Sequence, residues 1–211
     1  MNRALAACVL VATHFVAAPV RADDDRPTIQ RRYAEKDDSL YLHATGATHI
    51  RNDFYNSFGA GADVGFYSSE ALGFELRSLF LGTRLSRAAV DVKERTGLTP
   101  DARPQSMMFT AGPRWSFGYG KILAINRFVV HFDPQLTLQG GVARAERRLL
   151  PTAYTALTLL THYRWGIQAK VDLGATIQME KRDRGWVTSV GFMPVLGLGW
   201  NVGLPSKEDD S

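Results

Sequence analysis

From Trp186 to Gly203 the chain alternates with period two. Trp186, Thr188, Val190, Phe192, Pro194, Leu196, Leu198, Trp200 and Val202 fall on one side, and the small or neutral residues between them, four of them glycines, fall on the other. An extended strand sends successive side chains to opposite faces, so this spacing predicts a β-strand with one large apolar face and one small face. The same split recurs from Phe128 to Val142. There Phe128, Val130, Phe132, Pro134, Leu136, Leu138 and Val142 alternate with Val129, His131, Asp133, Gln135, Thr137, Gln139 and Gly141.

Six further stretches follow the rule: Leu40–Thr48, Phe58–Phe66, Leu72–Leu85, Met107–Phe117, Leu157–Val171 and Leu173–Glu180. In each, charge or glycine shares the face opposite the aliphatic and aromatic residues. Eight strands close a small antiparallel barrel. In a soluble barrel the apolar face points inward, whereas in a membrane barrel it meets lipid and the polar face lines the interior.

The pattern favours the second arrangement. Trp115, Tyr163, Trp165, Trp186 and Trp200, with Phe117, sit on the apolar face near strand ends, as an interfacial aromatic girdle requires. The opposite face carries Glu75, Arg77, Arg114, His131, Asp133 and Arg164, a set suited to an interior charge network. Several strands exceed the five or six residues usual in soluble sheets. The expected fold class is therefore all-β: an eight-stranded antiparallel up-and-down transmembrane β-barrel. Long polar connections at Ser86–Gln105 and Arg144–Thr155 alternate with shorter ones at Tyr67–Ala71 and near Asp172, the parity of outer loops and periplasmic turns. Gly118–Asn126 is long for a turn, and Asp183–Gly185 is short for an outer loop.

The ends have their own character. Met1–Ala22 has a basic start at Arg3, an apolar run from Ala4 and small residues at Val20 and Ala22, the layout of a cleaved export signal. A polar leader, residues 23–38, precedes the barrel expected over 39–204, and residues 205–211 form an acidic tail. Lys and Arg number 25 against 21 Asp and Glu, a net +4 too small and dispersed to indicate a nucleic-acid partner. The one cysteine, Cys8, lies inside the signal, so the exported chain has no disulfide to stabilise it.

The segment Met107–Gly141, with Ala111-Gly112-Pro113-Arg114-Trp115, Tyr119-Gly120-Lys121 and His131-Phe132-Asp133, resembles the myxobacterial-type outer membrane β-barrel domain family. That resemblance extends over about Leu40 to Gly203 and implies an eight-stranded barrel of unassigned activity. The chain differs in ending on Glu208-Asp209-Asp210, where outer-membrane barrels commonly end on an aromatic residue, which leaves Trp200 in that role.

Signs of catalysis are sparse. His131, Asp133 and His162 with nearby serines supply the parts of a lipid or lipopolysaccharide hydrolase, but no nucleophile elbow surrounds them. The four histidines beyond the signal, His43, His49, His131 and His162, lack metal-ligand spacing, so no metal or cofactor is expected. Basic residues Arg87, Lys93, Arg95, Arg103, Arg144, Arg147 and Arg148 suit contact with outer-membrane lipid and lipopolysaccharide. The expectation is a monomeric outer-membrane barrel with a structural, surface-interaction or small-solute role. The alternatives are the hydrolase and a soluble periplasmic barrel binding an apolar ligand.

Overall fold

A computed structural model describes residues 36–51, 54–98, 103–124, 128–146, 148–182 and 185–202. The export signal at 1–22, the leader up to residue 35 and the acidic tail at 205–211 lie outside the described residues.

The strands are β1 (Ser39–Arg51), β2 (Tyr55–Tyr67), β3 (Leu72–Leu85), β4 (Gln105–Ser116), β5 (Gly120–Ala124), β6 (Phe128–Ala145), β7 (Arg148–His162), β8 (Ile167–Arg182), β9 (Gly185–Phe192) and β10 (Val195–Val202). All pairings are antiparallel. β4 and β5 both pair with β6 and form one side of the ring; β9 and β10 both pair with β8 and β1 and form another. Eight positions therefore close on themselves, leaving β1 hydrogen-bonded to both β2 and the last strand.

The register fixes the tilt. Stepping sideways from Leu40 leads through Phe66, Phe74, Pro113, Leu138, Thr155, Ala175 and Phe192 to Ile50, ten residues further along β1. Ten residues of about 3.3 Å against eight steps of about 4.8 Å incline the strands by roughly 40° to the barrel axis.

Several connections differ from those expected. Arg144–Thr155 is not a loop: β6 runs on to Ala145 and β7 starts at Arg148, its register partner, with Glu146 at φ 52°. Asp172 lies within β8 opposite Thr158 and Val195, and the turn before β8 is at Tyr163–Gly166, with Trp165 and Gly166 at φ 62° and 71°. The strand expected over Leu157–Val171 is thus the end of β7, this turn and the start of β8. Within Gly118–Asn126, residues 120–124 are strand β5, which carries the ladder onward beside β6. The long connection is the one after β3, which holds helix α1 (Arg87–Thr96), capped by the Ser86 hydroxyl and by Gly97 at φ 71°. The alternation of long and short loops is therefore not the parity read from the sequence.

Face polarity is the reverse of a soluble core. Leu40, Phe66, Phe74, Leu76, Leu138, Leu157, Leu173 and Leu198 point outward and are exposed, while Asp63, Glu75, Arg77, Arg114, Lys170 and Asp172 are fully buried inside.

Candidate functional site

Six ionic side chains from β2, β3, β4 and β8 meet in one layer of the interior. Asp63 and Arg77 are register partners on β2 and β3, and the guanidinium donates to both carboxylate oxygens, from Nε at 3.0 Å and Nη2 at 3.1 Å. The same Nη2 donates to Glu75 at 3.1 Å and to Asp172 across the lumen. Arg114 donates to Glu75 and, at 3.2 Å, to the Tyr41 hydroxyl. Lys170 donates to Asp63 and, at 3.1 Å, to Glu75, with Asp172 3.8 Å away. Glu75 is the hub, accepting also from Gln139 at 2.9 Å and Tyr41 at 3.0 Å.

Three cations face three carboxylates at zero exposure. An unbalanced charge at such a depth would be expelled or neutralised, so the matched count is what allows the layer to exist. Small neighbours give these long side chains room. A Cβ on Gly65 would lie 2.1 Å from the Tyr41 ring, and one on Gly197 would lie 2.7 Å from Lys170 Cγ.

A second group closes the end nearest the start of β1. Lys36, 3% exposed, sends Nζ to Asp133 and, at 2.7 Å, to Ser116 Oγ, over the Tyr67 ring at 5.1 Å. Its backbone N–H donates to Glu70 at 2.8 Å. Beside it Gln168 links His43 and His162 at 3.1 and 3.2 Å. On the other side of the ionic layer the lumen is filled by an apolar tier that includes Leu79, Leu81, Met108, Leu150, Met193 and Val195. His49 with Thr176, over Gly191 on the intervening β9, and Gln105 with Gln178, across the lumen, form further polar pairs.

Of the residues expected in one network, Glu75, Arg77 and Arg114 lie in the layer and Asp133 pairs with Lys36. His131 is half-buried opposite Lys121 and His162 in the register, stacked on Tyr119 with ring centroids 6.1 Å apart, and so lies outside the six-residue layer. Arg164 stands in the turn before β8, not on a strand, and its side chain lies outside the described set. Sequence reasoning left out Asp63 and Lys170, although both carry charge on the polar face. It also read Asp172 as a turn residue and Lys36 as leader. The aromatic set divides: Trp115, Tyr163, Trp165 and Trp200 lie outward toward the end where β1 starts, and Trp186 lies at the opposite end, all well exposed.

Among the described residues, neither His162 nor His49 makes the bonds of a hydrolase triad. His162 Nδ1 bonds Gln168, and the hydroxyl that meets His49 belongs to Thr176, with no partner on His49 Nδ1 where a triad needs a carboxylate.

No protein-family model matches the chain, and no curated protein matches it. Among solved structures it is similar to the N-terminal β-barrel domain of Pseudomonas aeruginosa OprF, at 15% identity and a TM-score of 0.41, covering 78% of this chain and 98% of that one.

Proposed function

We propose that this chain is a closed β-barrel spanning the outer membrane of a Gram-negative-type cell, exported by its N-terminal signal, monomeric, and structural or surface-presenting rather than catalytic. Kinship with the myxobacterial-type barrel family belongs to the same reading. The observation that carries it is the inverted polarity: aliphatic and aromatic residues outside, a balanced layer of buried ion pairs inside. Water would not tolerate such an outer surface on a monomer, whereas lipid requires it. Dimensions agree. The thirteen residues of β1, inclined by roughly 40°, rise about 30 Å along the axis, close to the hydrocarbon thickness of a bilayer.

A filled lumen supports a role other than permeation, because the ionic layer and the apolar tier both obstruct the axis. Cells expressing the full chain should place it in the outer-membrane fraction, and the detergent-extracted protein should migrate differently on a gel before and after boiling. A soluble periplasmic product would refute the proposal and turn the outward residues into an association surface.

A further inference from the structure

Lys36 is gripped at both ends of its side chain. Its backbone N–H donates to Glu70 at 2.8 Å, and five carbons further along its Nζ donates to Asp133 and, at 2.7 Å, to Ser116 Oγ, 5.1 Å from the Tyr67 ring centroid. Two carboxylates therefore hold two nitrogens joined by a five-carbon chain, the donor pattern of 1,5-diaminopentane.

Both carboxylates are set by the barrel wall. Gln135 donates to Asp133 at 3.2 Å and to the Tyr67 hydroxyl at 3.0 Å, and Ser116 Oγ donates to Asp133 as well. Glu70 stands in the turn between β2 and β3, where the Ser68 N–H donates to the Leu72 carbonyl and the Leu72 N–H to Ser69 Oγ, each at 3.0 Å. The Ser116 N–H donates to the Ala71 carbonyl at 2.7 Å and so ties that turn to β4, beside Asp133. Asp133, Tyr67 and Gln135 are at most 1% exposed, and an ammonium among them is desolvated, which strengthens both its ion pair and its contact with the ring.

Lys36 itself precedes β1 and belongs to no strand. A tight bend turns it into the mouth: Ser39 Oγ donates to the Lys36 carbonyl at 2.6 Å, and Asp38 has φ 49°, a left-handed conformation that a Cβ disfavours. The donor that Lys36 offers Glu70 is a neutral amide. A diammonium would set a charged donor on each carboxylate, and charge-assisted bonds are about twice as strong as neutral ones. That exchange also keeps Asp133 paired, whereas an anion or a neutral solute in place of Lys36 would leave its carboxylate buried alone. We infer that the lumen mouth between Glu70 and Asp133 is a binding site for a short α,ω-diamine, with Lys36 as its tethered occupant. The inference goes beyond the structural reading above by adding a small-molecule ligand.

The test uses the full chain refolded in phosphatidylcholine vesicles and a pulse of acetic anhydride. Peptide mass spectrometry gives the acetylation of Lys36 relative to the exposed Lys121, a ratio that cancels reagent consumed by an added amine. Millimolar 1,5-diaminopentane should raise that ratio several-fold, pentylamine should raise it less, and tetramethylammonium chloride at equal ionic strength should leave it unchanged. A ratio that ignores the diamine, or that rises equally with pentylamine or tetramethylammonium, overturns the inference and makes Lys36 a fixed brace. The variant Lys36→Ala opens the site. Diamine at about ten times its dissociation constant should shift the unfolding equilibrium of this variant in urea about tenfold, and adding Glu70→Gln should reduce that effect to the level of pentylamine. A folded Lys36→Ala barrel indifferent to the diamine also overturns the inference; if the variant does not fold, the wild-type labelling ratio decides alone.

Discussion

Glu75→Gln keeps the shape of the hub residue and removes one negative charge. The layer would then hold Arg77, Arg114 and Lys170 against Asp63 and Asp172 alone, all at zero exposure. Arg77 and Lys170 keep carboxylate partners, but among the described residues Glu75 is the only carboxylate within 4 Å of Arg114. Breaking a buried pair by removing one partner costs about 3–5 kcal/mol. At about 1.4 kcal/mol per decade that is roughly a hundred- to a few-thousand-fold shift in the unfolding equilibrium. Arg114→Met should cost a similar amount, because it leaves the excess charge negative. Combined, the two substitutions restore neutrality and should recover most of the loss, giving a coupling of at least about 2 kcal/mol. Urea unfolding of the refolded barrel in lipid vesicles, followed by tryptophan fluorescence, measures all four species. A Glu75→Gln variant within about 1 kcal/mol of wild type, or a double variant whose cost equals both singles together, would falsify the charge-balance argument.

Three other perturbations follow from neighbouring features. A Cβ on Gly141 would lie 2.0 Å from the Phe109 carbonyl oxygen, whereas one on Gly140 meets nothing within 4 Å. Gly141→Ala should therefore destabilise by about 1–3 kcal/mol and Gly140→Ala should be close to neutral, as read from the same urea midpoints. Lys36→Met strands the buried Asp133 carboxylate and should cost about 3 kcal/mol, most of it regained on adding Asp133→Asn; failure of that rescue would dissociate the two residues. Leu138→Arg, on the outward face, should cost about 2–4 kcal/mol in lipid. A soluble form would accept that arginine with no measurable loss.

Much of this architecture is legible as period two. The polarity inversion is carried by Leu136 and Leu138 against Gln135 and Thr137, and by Phe74 and Leu76 against Glu75 and Arg77; lipid outside and ion pairs inside impose that split on each strand. Turn positions are less legible. Tyr163-Arg164-Trp165-Gly166 contains four residues, an even number, so alternation continues through the turn with its parity intact and hydrophobicity does not register it. Gly166 is the local clue, because its left-handed φ of 71° suits glycine. Asp172 reads as a turn residue by local propensity, yet it is held in β8 by Arg77 and Lys170, partners far away in sequence or unremarkable beside it. Arg144–Thr155 reads as a polar loop because of the charge at its start, while Ala143 and Ala145 point inward and Leu149 outward in ordinary strand fashion. Lys36 carried no signal at all: its role comes from Asp133, nearly a hundred residues away.

Beyond the Lys36–Asp133 group that closes one end, the interior obstructs the axis twice more, and these two obstructions differ in kind. Ion pairs in the layer around Glu75 stop an ion by geometry and by tight mutual pairing, whereas the apolar tier stops it by refusing hydration, with Leu79, Met108, Met193 and Val195 at most 1% exposed. Barriers in series are not relieved one at a time. Arg114→Met should therefore leave vesicles loaded with a fluorescent ion indicator as tight as wild type, although it weakens the layer. Met108→Ala with Met193→Ala should also leave them tight, since the ionic layer still spans the lumen. Only joint disruption of the layer, the tier and the Lys36–Asp133 group should admit ions, and a leak through the Arg114 variant alone would mean that neither the apolar tier nor that group is a barrier and that the layer by itself closes the barrel.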